Sequence, residues 1–526
     1  MNHISVLRIR GFKKFKSLDV PFNDHMNILV GENEAGKSTI LDAIRIVLNQ
    51  QYRNADKSVL KDLFNTDLVD EFVKNPSTKT LPSITIEAEL ELDPKSKNAE
   101  YFYGEVYGDR KSQPCKYGIR FVCMLDEEDA AELAQPIKDG KIPYEYYSLE
   151  WTTFANRSYQ LVKRPLQLIA IDTTNGSSSS SFNYYNRTLF TSKFDEATKA
   201  KAKNDFRDKL DEAFDAIKLP MIDSSRKFGI DGKKVVLESI LSVYEDSVSL
   251  ENRGSGMESL IKTQIALDKK NGIDVILLEE PENHLCFVNL RKMLEEISQR
   301  KDDAQIIIAT HNNMIASKLN LSNVLWVTKT RVISLQAVDK KTAAFFTKAD
   351  DNAFLQLLLS SRAFLVEGAT EYLLIPYFFK QLTGKTIEEA GVTVIPCNGI
   401  AYNNYLEIAK STNKRVAVIT DNDKKQTRID GAKAFNMNAT NQRIFMSDDL
   451  AQWTWEVCIY HKNKKTLDKQ IKLQDGAVYL FHGEDCGQVL GKMLNNKVET
   501  AYNMLSSGAT YEAPQYVKDA IQWLNG

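Results

Sequence analysis

The sequence predicts an α/β protein built from two parallel-sheet domains in succession. Three observations predict it. A short apolar run, Met26 to Val30, leads through a glycine-containing loop into a stretch where Ile40, Leu41, Ile44 and Leu48 recur at helical spacing. Residues 273–278 (IDVILL) and 305–309 (QIIIA) read as buried strands separated by a helix over about 285–299, a βαβ unit. After residue 350 the short apolar runs 363–366, 392–395 and 415–419 repeat the pattern. The boundary is placed near 345–360, giving domains over 1–350 and 355–526.

Each element follows in order. Residues 4–9 alternate as a strand, Gly11-Phe12-Lys13-Lys14-Phe15 turns the chain, and Met26–Val30 is the next strand. Residues 83–92 (SITIEAELEL) alternate strictly, and residues 117–170 are rich in short apolar runs, so this part is β-rich. Gly176 and Ser177 to Ser181 read as a mobile Ser-rich loop. Phe206, Leu210, Ala213, Phe214 and Ile217 share one helical face and Pro220 closes it, so a helical insertion is expected over about 190–245.

Bulk properties narrow the class. A chain of 526 residues exceeds one core, and 43% hydrophobic with 26% charged residues is ordinary for a globular protein. A net charge of -2 excludes a polycationic nucleic-acid coat but not local basic grooves. The cysteines Cys115, Cys123, Cys286, Cys397, Cys458 and Cys486 show neither CxxC nor zinc spacing and are expected to be buried thiols. The N-terminus lacks a signal-peptide core and no 18-residue apolar stretch occurs, so a cytoplasmic protein with no membrane contact is expected.

Gly31-Glu32-Asn33-Glu34-Ala35-Gly36-Lys37-Ser38 fits GxxxxGK[ST] between a strand and a helix, the context of a P-loop. Backbone N–H groups there close around phosphates, Lys37 reaches the β/γ-phosphates and Ser38 ligates Mg²⁺. Gly31, Asn33, Gly36 and Thr39 complete the expected ATP cradle. Far downstream, Ile276-Leu277-Leu278-Glu279-Glu280-Pro281 is a strand ending in two acids: Glu279 at the Walker B position for Mg²⁺, Glu280 where a general base polarises water. His311 follows the next strand and is expected to sense the γ-phosphate.

About 240 residues separate Lys37 from Glu279, which excludes a compact Ras-like or RecA-like ATPase and suits an ABC-type head with a large insertion. Gly254-Ser255-Gly256-Met257-Glu258 then resembles a divergent ABC signature, with Glu258 replacing the usual Gln. In ABC ATPases this segment caps the γ-phosphate held by a second subunit, so the resemblance implies that Ser255 and Gly256 act in a dimer. Arg10-Gly11-Phe12 and Phe15 resemble the opening of SMC and RecF-type ATPases, although no heptad arm follows.

In the second domain, Glu367-Gly368-Ala369-Thr370-Glu371 places two acids at the end of a strand and the start of a helix. Asp421-Asn422-Asp423 ends another strand, and its acids point the same way if extended. Carboxylates gathered at one sheet edge, with no Arg nearby to balance them, suit Mg²⁺ or Mn²⁺, and two such ions serve phosphodiester cleavage.

This E…DxD pattern is that of Toprim domains, and an EGxxE form behind an ABC-type ATPase resembles the OLD (overcoming lysogenisation defect) family of nucleases from Ile4 to about Leu524. The resemblance implies a fold: an ABC-type ATPase head with a helical dimerisation insertion, followed by a Toprim nuclease domain. It further implies Glu456 as an added metal ligand, Lys497 as the neutraliser of the scissile phosphate, and Gly399 as a family turn. Glu280, Glu367, Asp421 and Lys497 would be catalytic, and Ser38, Glu279, Glu367, Glu371, Asp421, Asp423 and Glu456 would hold metal. The implied function is an ATP-gated, Mg²⁺- or Mn²⁺-dependent DNA endonuclease in anti-phage defence, a homodimer or larger homo-oligomer with a possible accessory protein or nucleic-acid partner. The competing reading is a RecF/SMC-like DNA clamp whose Toprim domain binds without cleaving.

Overall fold

The computed structural model describes residues 2–526 except 97, 107–113, 127, 130–132, 173–178, 224, 232–234, 269–271, 301–302, 349–352, 398 and 400. Gly176, Ser177 and Ser178 of the expected serine loop, Asn398 beside Gly399, and residues 349–352 of the expected boundary lie outside the described residues. The chain divides into two units, residues 1–319 with 323–334 and residues 320–322 with 335–526.

Among the described residues the first unit holds two six-stranded sheets and a two-stranded ribbon. Strands β1 (His3–Phe12), β2 (Phe15–Pro21), β3 (Met26–Val30), β4 (Ile84–Glu91), β5 (Tyr103–Gly104), β6 (Lys116–Leu125), β7 (Tyr147–Thr153) and β8 (Leu168–Asp172) precede the insertion. An antiparallel sheet runs β2-β1-β4-β6-β5, with β7 also paired to β6. The β1–β2 turn requires Gly11: its φ is +67°, and a Cβ there would lie 1.9 Å from the Ser83 carbonyl oxygen.

After a small ribbon of β9 (Tyr244–Glu245) and β10 (Val248–Ser249) come β11 (Val275–Glu279), β12 (Gln305–Ala309), β13 (Val324–Val327) and β14 (Val332–Ser334). The second sheet runs β14-β13-β3-β12-β11-β8, parallel except for β14. Its strands are nearly continuous apolar runs, buried throughout in β3, β11, β12 and β13, as a sheet covered on both faces demands.

Helix α1 (Lys37–Asn49) packs against strands of both sheets, and Ile40, Leu41, Ala43, Ile44, Ile46, Val47 and Leu48 are all buried. Each such aliphatic side chain contributes roughly 1.5–3 kcal/mol on leaving water. The carbonyls of its last turns, which have no partner within the helix, accept hydrogen bonds from Trp151 Nε1 (to Ile46 O, 2.8 Å) and Tyr159 Oη (to Leu48 O, 3.0 Å).

The expected insertion over about 190–245 contains α3 (Glu196–Ala216), while α2 (Ser179–Lys193) mostly precedes it, so Ser179 to Ser181 begin a helix rather than continue the serine loop. The expected stripe on α3 is only half covered: Phe206, Leu210 and Phe214 are half-buried, while Ala213 and Ile217 are exposed. Helices α4 (Ser255–Leu267) and α5 (Phe287–Arg300) flank β11 in the chain.

The second unit is a four-stranded parallel sheet, order β16-β15-β17-β18, made of β15 (Arg362–Val366), β16 (Val392–Pro396), β17 (Arg415–Ile419) and β18 (Gln442–Phe445). Two helices, Lys340–Lys348 and Phe354–Leu359, precede this sheet, and with it run α6 (Ala369–Thr383), α7 (Tyr402–Ser411), α8 (Gln426–Asn438), α9 (Trp455–Gln470), α10 (Gln488–Asn495), α11 (Lys497–Ser506) and α12 (Gln515–Asn525). Its core joins Phe364, Phe378, Trp455, Ile459, Met493 and Ile521. The α/β class, two parallel sheets in succession, is therefore the one expected. The cysteines differ from expectation. Cys123, Cys397 and Cys458 are buried, but Cys115 and Cys286 lie in exposed segments outside the strand and helix they adjoin, and Cys486 is intermediate.

Candidate functional site

Both candidate sites sit where parallel strands end, because loops there are displayed at one sheet edge. In the first unit, Glu279 of β11 is in register with Ala309 of β12 and Asp172 of β8, so the acids and the Thr310-His311 turn meet beside the loop that follows β3. That loop needs its glycines. A Cβ on Gly31 would lie 2.5 Å from the Val327 carbonyl oxygen, and Gly36, at φ +98°, has Phe15 where a Cβ would be, 2.3 Å from a ring carbon.

Lys37 is buried and its Nζ donates to the loop carbonyls of Gly31 (3.0 Å) and Glu32 (3.2 Å), with His311 Nδ1 at 3.5 Å. Burial lowers its pKa, opposed by the charges of Glu280, Glu282 and Glu279. The Ser38 hydroxyl hydrogen-bonds Glu279, whose pKa is raised chiefly by burial. Glu279 also pairs with Arg45 at 3.2 Å. Glu280 Oε1 lies 3.0 Å from His311 Nε2, and burial keeps the His311 pKa low. Thus Gly31, Gly36, Lys37, Ser38, Glu279, Glu280 and His311 come together. Asn33 is exposed on the loop, and Thr39 is buried in the first turn of α1.

No side chain caps α1, so its first-turn N–H groups face the loop. A buried ammonium held by loop carbonyls beside His311, uncapped amides and glycine-lined walls fit a triphosphate. Ser255 and Gly256 open α4, with Gly256 against the His284 carbonyl, 2.2 Å from where a Cβ would sit. Glu258 turns inward instead of occupying the loop: it pairs with Lys262 at 2.6 Å and is buried.

In the second unit, Val366 of β15 is in register with Ile419 of β17, so the segments that follow are neighbours. Glu367 Oε2 accepts from Thr420 Oγ1 (2.9 Å) and the Asp421 N–H (3.2 Å). Glu371 Oε2 accepts from the Gly368 N–H and from Thr370 Oγ1, both 3.1 Å. Thr370 Oγ1 is also 3.4 Å from Glu456 Oε1. Thr454 Oγ1 lies 2.7 Å from Asp421 Oδ2 and 3.0 Å from Glu456 Oε2. Lys497 Nζ meets Glu456 Oε2 at 2.9 Å.

A hydroxyl has one proton. Thr370 and Thr454 each face two carboxylates, so Glu371, Asp421 and Glu456 have fewer donors than acceptor positions. Burial, then Glu456 and Glu367, pushes the Glu371 pKa up to about 7. Burial also holds the Asp421 carboxyl well above its usual range, with Glu367, Glu371 and Glu456 adding to the shift. Burial opposes the Lys497 charge, but Glu456, Asp421 and Glu371 together raise its pKa. Among the described residues no three His, Cys, Asp or Glu side chains already stand at ligand spacing. The donor shortage around hard oxygens nevertheless fits a divalent cation.

Asp423 departs from the extended geometry expected. Its φ is +51° and that of Lys424 is +58°, so the chain turns and Asp423 pairs with Arg428 on α8. An Arg therefore does balance this acid, five residues along the chain. Between the two acids, Asn422 is buried and donates to the carbonyls of Ser447 (3.0 Å), Asp449 (3.0 Å) and Gln452 (3.2 Å).

Residues 3–316 match the AAA ATPase domain family, and residues 358–423 match the overcoming lysogenization defect protein-like TOPRIM domain. The chain belongs to the AAA ATPase domain family and carries an OLD-like TOPRIM domain. A curated relative, the DNA replication and repair protein RecF of Clostridium kluyveri, is 30% identical over 88 residues, 17% of this chain and 24% of the relative. The match thus spans about a quarter of that relative's length. Solved structures similar to parts of the chain include an SMC head bound to the C-winged helix domain of ScpA (15% identity, 64% of this chain and 99% of that one, TM-score 0.33). Another is the C-terminal region of the Burkholderia pseudomallei OLD protein (14% identity, 32% of this chain and 97% of that one, TM-score 0.24).

Sequence reasoning missed several residues around these two sites. In the AAA ATPase unit Arg45 holds Glu279, and Glu282 accepts from Thr310 Oγ1 (2.5 Å) and the His311 N–H (3.2 Å). The Pro281-Glu282 continuation of the acidic strand end was the available signal for Glu282. In the TOPRIM unit Thr370, Thr420 and Thr454 arrange the acids, and nothing in their sequence neighbourhood marks them. No helix among the described residues is long and apolar enough to cross a membrane.

Proposed function

We propose that this protein is an ATP-binding and ATP-hydrolysing DNA endonuclease of the OLD family, with cleavage in the TOPRIM unit gated by the ATPase unit. The observation that carries the reading is the group Glu371, Asp421 and Glu456, short of donors, beside the half-buried Glu367 and faced by the ammonium of Lys497. An ATPase domain spanning about 1–350 and a nuclease domain spanning about 355–526 divide the two tasks.

In the TOPRIM unit Glu367, Glu371, Asp421 and Glu456 hold Mg²⁺ or Mn²⁺, with Asp423 joining once it leaves Arg428. When bound, the ions supply an activated water and stabilise the leaving oxygen of a phosphodiester. Thr454 and Thr370 orient the carboxylates, and Lys497 presents its charge to the scissile phosphate. In the ATPase unit Lys37 exchanges loop carbonyls for phosphate oxygens, Ser38 and Glu279 hold Mg²⁺, and Glu280 orients water while His311 holds Glu280. Ser255 and Gly256 cap the nucleotide of a second copy, which makes the working unit a homodimer or larger. A role in anti-phage defence, with an accessory protein or nucleic acid, completes the proposal.

The test is cleavage of supercoiled plasmid with Mg²⁺ or Mn²⁺, with and without ATP, for wild type, Asp421→Ala and Lys37→Ala. Cleavage by wild type and none by Asp421→Ala is expected, and the effect of ATP and of Lys37→Ala gives the sign of gating. ATP hydrolysis with no cleavage under any condition supports a second reading favoured by the RecF match: an ATP-dependent DNA clamp whose TOPRIM unit only binds.

A further inference from the structure

We infer that the TOPRIM unit carries a lysine-lined track for a nucleic-acid phosphodiester backbone, running along the second half of α9 and the α10–α11 junction to Lys497. The inference rests on the nuclease reading for its purpose but on separate residues for its substance.

The chain as a whole is slightly acidic, with a net charge of -2. Residues 461–472 (HKNKKTLDKQIK) break that balance with five lysines and one acid. The acid, Asp468, is taken up by the Tyr460 hydroxyl at 2.9 Å. Lys464, Lys465, Lys469 and Lys472 are exposed, and none of them has a carboxylate within ion-pair distance among the described residues. Lys465 and Lys469 are four residues apart and share one face of α9, and Lys472 follows just beyond its extended C-cap, Ile471.

Beside this face lies a cavity of about 480 Å³ lined by Lys469, Lys472 and Lys492, with Gln470, Asn496 and Asn503 as neutral donors. Glu499 is the only acid on its wall. Lys492 is anchored there by donating to the Lys472 carbonyl at 2.7 Å. Thr500 and Met504, both buried, line this cavity and the small pocket containing Glu456 and Lys497, so a single layer of side chains separates the two. Asn496 lines the cavity and immediately precedes Lys497.

The chemistry therefore grades along the surface. Free ammonium groups and amides, which suit a polyanion, lead to one ammonium beside buried acids, which suit a cation and the bond to be cut. A track of this kind would set which phosphate reaches the acids, since backbone contacts fix register without reading sequence. Each lysine that neutralises a phosphate releases counterions, so binding carries a salt signature.

The experiment measures binding of labelled duplex and single-stranded oligonucleotides by fluorescence anisotropy against salt, in EDTA so that no cleavage occurs. It compares the full chain with the triple variant Lys465→Gln/Lys469→Gln/Lys472→Gln and with the corresponding triple Arg variant. The Gln variant is expected to lose about 0.9 of log–log salt slope per lysine on duplex, about 2 to 3 in all, and the Arg variant is expected to keep the slope. An unchanged slope, or no binding by wild type at low salt, overturns the track. Binding by the same lysines to polyglutamate but not to DNA overturns it in favour of an acidic protein. Asp421→Asn separates the two claims. Lysine-dependent binding without any wild-type cleavage would sink the nuclease reading alone, and Asp421-dependent cleavage with an unchanged slope would sink the track alone.

Discussion

Replacing Gly36 by alanine tests why an aromatic ring sits under the nucleotide loop. At φ +98° an L side chain costs about 1–2 kcal/mol. The new methyl would also lie 2.3, 2.8 and 3.1 Å from three carbons of the Phe15 ring, so the ring or the loop must move. Phe15 is buried at the end of the β1–β2 turn, and overpacking of such a site costs about 1–3 kcal/mol. Together these give about 2–5 kcal/mol against the observed loop, or about 30- to 5000-fold weaker binding of any ligand that requires it. Titration of a fluorescent ATP analogue reads this directly. Phe15→Leu in the Gly36→Ala background relieves the contact but not the backbone strain, so the double variant should bind more tightly than Gly36→Ala by a coupling of about 0.5–3 kcal/mol. Wild-type affinity in Gly36→Ala would refute the loop geometry, and no recovery in the double variant would refute the ring as the obstacle.

Thr454→Val removes the hydroxyl shared by Asp421 and Glu456 while keeping its shape, and should weaken Mn²⁺ binding about 10- to 100-fold, measured by calorimetry; Thr454→Ser should not. Glu258→Gln restores the residue usual in the ABC signature, yet it should destabilise the protein by about 1–3 kcal/mol because the buried Lys262 exchanges a carboxylate for a neutral amide while keeping the Tyr185 ring, and a lowered melting temperature checks this. Trp151→Phe should cost about 1–3 kcal/mol in thermal or chemical denaturation by leaving the Ile46 carbonyl unpaired.

Features encoded within a few consecutive residues were legible in the sequence. The run from β3 through the glycine loop into α1 is local, and so are the acids that end β11, β15 and β17. What brings them together is not local. The order β13-β3-β12-β11 depends on pairings across the length of the first unit, and periodicity carries no partner information. The turn at Asp423 was missed because two left-handed residues outweigh the extended habit of a strand end, and Arg428 rewards that turn with an ion pair. The threonines were invisible for a different reason. A hydroxyl acquires its role only from what folding places opposite it, and Thr370 and Thr454 face acids remote in sequence as well as near ones. The inward turn of Glu258 likewise follows from Lys262 one helical turn away, a pairing that reads in sequence as an ordinary surface bridge.

Helix α1 is covered by a sheet on each side and tied at its end by Trp151 and Tyr159. Such a helix has no free direction in which to tilt. The nucleotide loop is thus mounted on a packed helix, while the groups that face it, Glu280, Glu282 and His311, sit on short segments at the ends of β11 and β12. The pocket therefore sets a wall held by packing against a wall held by a few polar contacts, as a hub stands beside its pointer.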